Sequence, residues 1–77
     1  MDHQTALRRM LRRREAAKYV RDTWGIPCAE KTLAKIAVTG GGPPFVRFGR
    51  VPLYDGENLD AWVRSKLSRQ FKSTSEY

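Results

Sequence analysis

Gly40-Gly41-Gly42-Pro43-Pro44-Phe45-Val46-Arg47-Phe48-Gly49-Arg50-Val51-Pro52-Leu53-Tyr54-Asp55-Gly56-Glu57-Asn58-Leu59-Asp60-Ala61-Trp62-Val63 is the stretch around which the chain is organised. The glycines and prolines at its start stop any preceding helix, since glycine lacks a side chain to hold one and proline supplies no N–H. Two strand-like runs follow, Phe45 to Phe48 and Val51 to Tyr54, on either side of a turn carrying Gly49 and Arg50. They read as a hairpin with a basic tip. Pro52 demotes its strand to an edge strand, tolerable in a hairpin that has nothing but edges. Asp55 is placed to cap the next helix and Glu57 to meet the positive end of its dipole. Leu59, Trp62, Val63 and Leu67 make one apolar stripe on a helix from about Gly56 to Leu67, with Asp60 facing solvent. A hairpin this small does not stand alone in water, so it must lean on helices supplied upstream.

The spacing predicts the first of these over about Arg13 to Thr23, with Ala16, Ala17, Val20 and Trp24 inward and Tyr19 at the edge. The small alanines let a second helix cross closely. Thr23-Trp24-Gly25-Ile26-Pro27 breaks the run, Gly25 suiting a left-handed C-cap and Pro27 a first turn. A second helix is expected from Cys28 or Ala29, with Ala29, Leu33, Ile36 and Ala37 inward and Lys31, Ala34, Lys35 and Val38 on the free side. Two short helices joined by a tight glycine-containing turn form the pattern of a helix-turn-helix. Ahead of them, Met1 to Thr5 reads as frayed, and Leu7, Met10 and Leu11 as a short helix with arginines opposite. Lys66, Arg69 and Lys72 complement the last helix's dipole, and Ser73 to Tyr77 reads as disordered. The expected organisation is a basic arm or short helix over 1–12, one domain over 13–68 and a flexible tail over 69–77.

Seventy-seven residues make a single small domain, too small for an elaborate active site. The net charge of +7 comes mostly from Arg8, Arg9, Arg12, Arg13, Arg14, Lys18 and Arg21, with only Glu15 among them. Such a block points to a polyanion, nucleic acid before membrane, although a solvated face has the same composition. Cys28 is the sole cysteine, so an internal disulfide and a cysteine metal cluster are both excluded, and a cytoplasmic protein fits. No apolar run approaches a spanning helix, and arginines stand where a signal peptide needs its apolar core.

Candidates for chemistry are few. His3 lies in the polar terminus, and Asp55, Glu57 and Asp60 are accounted for as cap, dipole partner and surface residue without a metal. The glycine run lacks the Lys and Ser/Thr of a phosphate-binding loop. Cys28, near a helix N-terminus, is open to a lowered thiol pKa but has no candidate base, and a plain half-buried cysteine is the favoured reading. Trp24 and Trp62 fall on apolar stripes and read as core rather than as base-stacking platforms. Tyr54 either closes the hairpin on the helices or offers its hydroxyl to a phosphate. Lys31, Lys35, Arg47 and Arg50 carry the most weight, the first pair on the second helix's free face and the second on the hairpin.

With these residues in view, the chain resembles the small winged helix-turn-helix proteins of the MerR-like superfamily, which include phage and mobile-element excisionases and AlpA-type regulators. The matching residues are Arg14-Glu15-Ala16-Ala17-Lys18-Tyr19-Val20, Lys31-Thr32-Leu33, Gly41-Gly42-Pro43-Pro44-Phe45, Phe48-Gly49-Arg50, and Leu53-Tyr54-Asp55 with Leu59-Asp60-Ala61-Trp62-Val63. The fold this implies is α+β: a helix-turn-helix, a two-stranded wing and a C-terminal helix. It also implies sequence-selective duplex-DNA binding, with Lys31, Thr32, Ala34 and Lys35 on the recognition helix and Arg47 and Arg50 on the wing. Arg8, Arg9, Arg12, Arg13, Arg14 and Lys18 are left for the DNA backbone or for self-association. After Gly49 the chain departs from the family pattern, because Arg50 is followed by Val51 and Pro52 rather than by a second basic residue.

The expected protein is not an enzyme and needs no cofactor or metal. It is an excisionase, or recombination directionality factor, bending DNA beside an attachment site for a separate recombinase, and it sits with the nucleoid in the cytoplasm. One module covers only about 600 to 1,000 Å² on DNA, too little to single out a site, so copies are expected to load head to tail. A small transcriptional regulator of the same family is the alternative. A cationic RNA-binding or membrane-surface protein is the rival from another class, but the arginine segment offers mainly alanine where a membrane helix needs bulk, and RNA binding would call for exposed aromatics.

Overall fold

The computed structural model describes residues 9–67. Among them run β1 (Leu11–Arg12), α1 (Arg13–Trp24), α2 (Glu30–Thr39), β2 (Val46–Phe48), β3 (Val51–Tyr54) and α3 (Gly56–Lys66). The class is α+β, three helices with a three-stranded antiparallel sheet in the order β1-β3-β2. His3, Leu7, Arg8, Arg69, Phe71 and Lys72 lie outside the described residues.

α1 begins where the Glu15 carboxylate accepts the Arg12 backbone N–H at 2.8 Å, satisfying a donor at the helix entrance. It ends at Gly25, whose φ of 66° is the left-handed conformation expected of a C-cap and whose N–H reaches the Arg21 carbonyl. α2 starts at Glu30 rather than at Cys28 or Ala29, leaving Ala29 as an exposed N-cap instead of an inward residue. The glycine run then closes α2. A side chain at Gly42 would place its Cβ 2.7 Å from Ile36 Cγ1, and the Trp62 indole N–H donates to the Gly41 carbonyl at 2.9 Å, tying this loop to α3. The Asp55 side chain accepts from the Glu57 N–H as an N-cap should.

Three expectations about the sheet and its neighbours are corrected. Leu11 belongs to a strand, not to a short helix: it pairs with Tyr54, and Arg12 with Leu53. The hairpin is therefore not the whole sheet, and β3, which holds Pro52, is central rather than an edge. Pro52 is tolerated because β1 stops at Leu53 and because Pro52 faces Arg47 one step in from the pair that closes the turn. Antiparallel ladders alternate hydrogen-bonded and open pairs, so that place needs no donor toward β2. Leu67 ends α3 in extended conformation and is 53% exposed, outside the apolar stripe.

The core takes one or more residues from each helix and from β3: Ala16, Ala17 and Val20, then Leu33, Tyr54, Leu59 and Val63, with Cys28 from the turn between α1 and α2. α1 is the hub, touching α2, α3, β1 and β3. Its small alanines allow this, since a backbone flanked by Ala16 and Ala17 can be approached on two sides. Trp24 and Trp62 pack on the core's margin, half-buried, where the indole ring is covered and its N–H still finds an acceptor. No helix among the described residues is long and apolar enough to cross a membrane.

Candidate nucleic-acid interface

α2 buries Leu33 and turns Lys31 and Lys35 outward, both exposed. At 100° per residue, Ala34 and Val38 fall on one flank of that free face and Thr32 on the other. The Ala34 flank looks onto the β2–β3 hairpin. Ala34, Ala37 and Val38 line an open concavity with Phe45, Arg47, Arg50, Pro52 and Arg13. Thr32 is exposed but lies on the side of Ile36, away from the hairpin arginines.

The hairpin tip is built for exposure. Gly49 has a φ of 65° and Arg50 a negative φ, the pattern of a two-residue II′ turn with glycine first. Arg47 and Arg50 both reach the concavity beside α2.

A second, larger concavity adjoins the first. Arg12, Arg13, Arg14, Lys18 and Arg21 line it with Glu15, Glu30 and Pro52, so five cations meet two carboxylates and the lining carries +3. Arg13 and Pro52 line both hollows, making one basic surface from the hairpin across to the outer face of α1. Arg13 is also structural. Its guanidinium lies 5.8 Å from the Phe45 and the Tyr54 ring centroids, and its Nε donates to the Tyr54 hydroxyl at 3.0 Å. This uses one of five donors and fixes the group by stacking and hydrogen bonding. Tyr54 itself is buried, its hydroxyl held by Arg13, so the reading that it closes the hairpin on the helices is the one that applies.

The arginine block is thus divided. Arg12, Arg14 and Lys18 face the concavity with Arg13, although Lys18 is paired with Asp22. Arg9 turns elsewhere: it pairs with Glu15 at 3.2 Å and lines a separate depression with Leu11, Tyr19, Asp55 and Glu57. Arg8 lies outside the described residues. Arg21, not assigned to the site from sequence, lines the concavity and donates to the Cys28 carbonyl at 2.6 Å, bracing the α1–α2 turn. A signal for it existed, since residues 14, 18 and 21 share one helical face.

Two titrations are shifted. Burial pushes the Cys28 thiol up, with the Arg21 guanidinium pulling the other way. Cys28 is thus a plain buried cysteine, the reading favoured from sequence, and the alternative of a lowered thiol pKa does not apply. Tyr19 is raised, first by burial and then by the Asp60 carboxylate that accepts its hydroxyl. Asp60 is likewise not a plain surface residue, for it accepts from Tyr19 Oη at 3.0 Å and from Trp24 Nε1 at 2.9 Å. Among the described residues no cluster of His, Cys, Asp and Glu converges to hold a metal.

Compared with models of protein families, with curated proteins and with solved structures, the chain finds no match.

Proposed function

We propose that the chain is a small winged helix-turn-helix protein that binds duplex DNA sequence-selectively. On this reading α2 is the recognition helix and the β2–β3 hairpin the wing. Its role is that of an excisionase or recombination directionality factor, which loads copies head to tail and bends DNA so that a separate recombinase can assemble.

The observation that carries the reading is the continuity of the basic surface. The free face of α2, with Lys31 and Lys35 at its crest, adjoins a hollow shared with Arg47 and Arg50, and Arg13 joins that hollow to the cations of α1. A helix entering the major groove would bring its lysines to base edges while the wing and the α1 cations meet phosphates on either side. Base-edge contacts would supply selectivity, and phosphate contacts would fix the orientation. Glu30, at the rim of the second hollow, would repel a backbone placed too close to the start of α2 and so help set the register.

Titrating the full chain at one fixed salt concentration against duplex DNA with one, two and three adjacent sites, single-stranded RNA and anionic vesicles tests the proposal. The expected order is three-site duplex tightest per site, then two-site and one-site, with RNA and vesicles weaker than all. Equal per-site affinity on the three duplexes removes the head-to-tail loading, and tighter binding to RNA or vesicles removes the duplex assignment.

A further inference from the structure

The outer face of the β2–β3 hairpin is apolar, and it is open at Val46 and Phe48. Residues directly opposite in an antiparallel pair share a face, so Val46 with Leu53 and Phe48 with Val51 lie on one side, and Arg47 with Pro52 on the other. Tyr54 falls on the Pro52 side by alternation and is buried against the helices, so the side holding Phe48 looks outward. Phe48 is 78% exposed and Val46 58%. A phenylalanine ring is a large apolar surface, and a chain with so small a core gains by covering it.

The surroundings of Phe48 indicate what covers it. The run Val46 to Tyr54 contains Arg47 and Arg50 and no carboxylate. The tip is also slender: apart from its chain neighbours Phe48 and Arg50, nothing stands within 4 Å of where a Gly49 side chain would be. A ligand matching this surface is anionic outside and flat and apolar within, which describes the sugar-phosphate rails and base planes of a nucleic acid duplex. Apolar side chains flanked by arginines enter minor grooves in this way, parting a base step and bending the helix toward the major groove.

We propose that Phe48 is a wedge, inserted into the minor groove from the outer face of the hairpin while Arg47 and Arg50 meet phosphates on its α2 side, where it partly unstacks one base step and kinks the duplex. The inference rests on the duplex-binding reading above. It assigns the bend to one side chain, and it places that bend on a pyrimidine–purine step, where unstacking is easiest.

The test uses the full chain, Phe48→Ala and Phe48→Trp, with a duplex of about 30 base pairs enriched by the wild-type chain from a random pool, carrying dyes at both ends and 2-aminopurine at successive TA and TG steps. With its side chain exposed, Phe48→Ala keeps the wild-type circular dichroism. The wild-type chain is expected to raise 2-aminopurine fluorescence at one step and to shorten the distance between the ends. Phe48→Ala should bind about tenfold more weakly and do neither, while Phe48→Trp restores both and has its own emission quenched by the bases. Equal bending and unstacking by Phe48→Ala overturns the wedge. So does a Phe48→Ala chain that bends a single site normally but loses cooperativity on adjacent sites, which assigns the apolar face to a second copy. Binding by the wild type without any unstacking removes the wedge alone, whereas no binding to any enriched duplex removes the duplex reading with it.

Discussion

Tyr19 and Trp24 project from α1 and Asp60 from α3, and the carboxylate accepts a hydrogen bond from each, at 3.0 and 2.9 Å. The Arg64 guanidinium stacks over Trp24 at 5.4 Å, closing the same corner. Hydrogen bonds to a charged acceptor are stronger than neutral ones, and losing the acceptor leaves two half-buried donors to find water. Asp60→Ala should therefore lower unfolding free energy by about 1 to 3 kcal/mol, and Asp60→Asn by less, since its amide oxygen still accepts. Urea unfolding followed by tryptophan emission measures this, and an unchanged midpoint for Asp60→Ala would contradict the tie. Local periodicity identified Leu59 and Val63 as inward but put Asp60 on the surface, because its donors lie 41 and 36 positions away. The same limit hid the packing of Arg13 against the paired Phe45 and Tyr54 rings. Cys28 was legible as a buried cysteine, although its company of Leu33 and the rest of the core was not.

At the scale of elements, the stops and faces were the legible part. Gly25 and Gly40 end α1 and α2, Asp55 caps α3, and the free side of α2 shows Lys31 and Lys35, all from local chemistry. β1 was not legible. Leu7, Met10 and Leu11 have helical spacing, but a two-residue strand has no period to detect, and pairing with Tyr54 decides the matter for Leu11. Pro52 misled in the same direction, because its cost in a central strand vanishes only once the ends of β1 are known. For α2 the proposal makes a separable prediction. Lys31→Ala and Lys35→Ala remove exposed side chains, so the fold should survive, while binding to an enriched duplex weakens by about 1 to 3 kcal/mol with relaxed preference at the affected base pair. Thr32→Val, on the flank away from the hairpin, should change the preference less. Selection from a random pool with each variant reads this out, and unaltered base preference in both lysine variants would take base reading away from α2.

For the whole molecule, the +7 net charge is not spread evenly. The cations of α1 and the hairpin are gathered by the fold onto adjoining hollows, while Asp55, Glu57 and Asp60 lie together around another depression with Arg9. Clustering of this kind is what the proposed duplex-binding face requires, and composition alone could not show it. It also gives unlike surfaces at two places on one chain, as head-to-tail loading along a duplex requires. The central claim is that this face distinguishes one duplex from another, and one measurement addresses it most directly: the affinity of the full chain for its enriched duplex and for a shuffled duplex of equal length, across a salt series. Predicted are a preference for the enriched duplex of at least about a thousandfold and, on both, log–log salt slopes of roughly 0.9 per phosphate neutralised. The same affinity and the same slope for the two duplexes would contradict the account and leave only a small basic protein held to DNA by its charge.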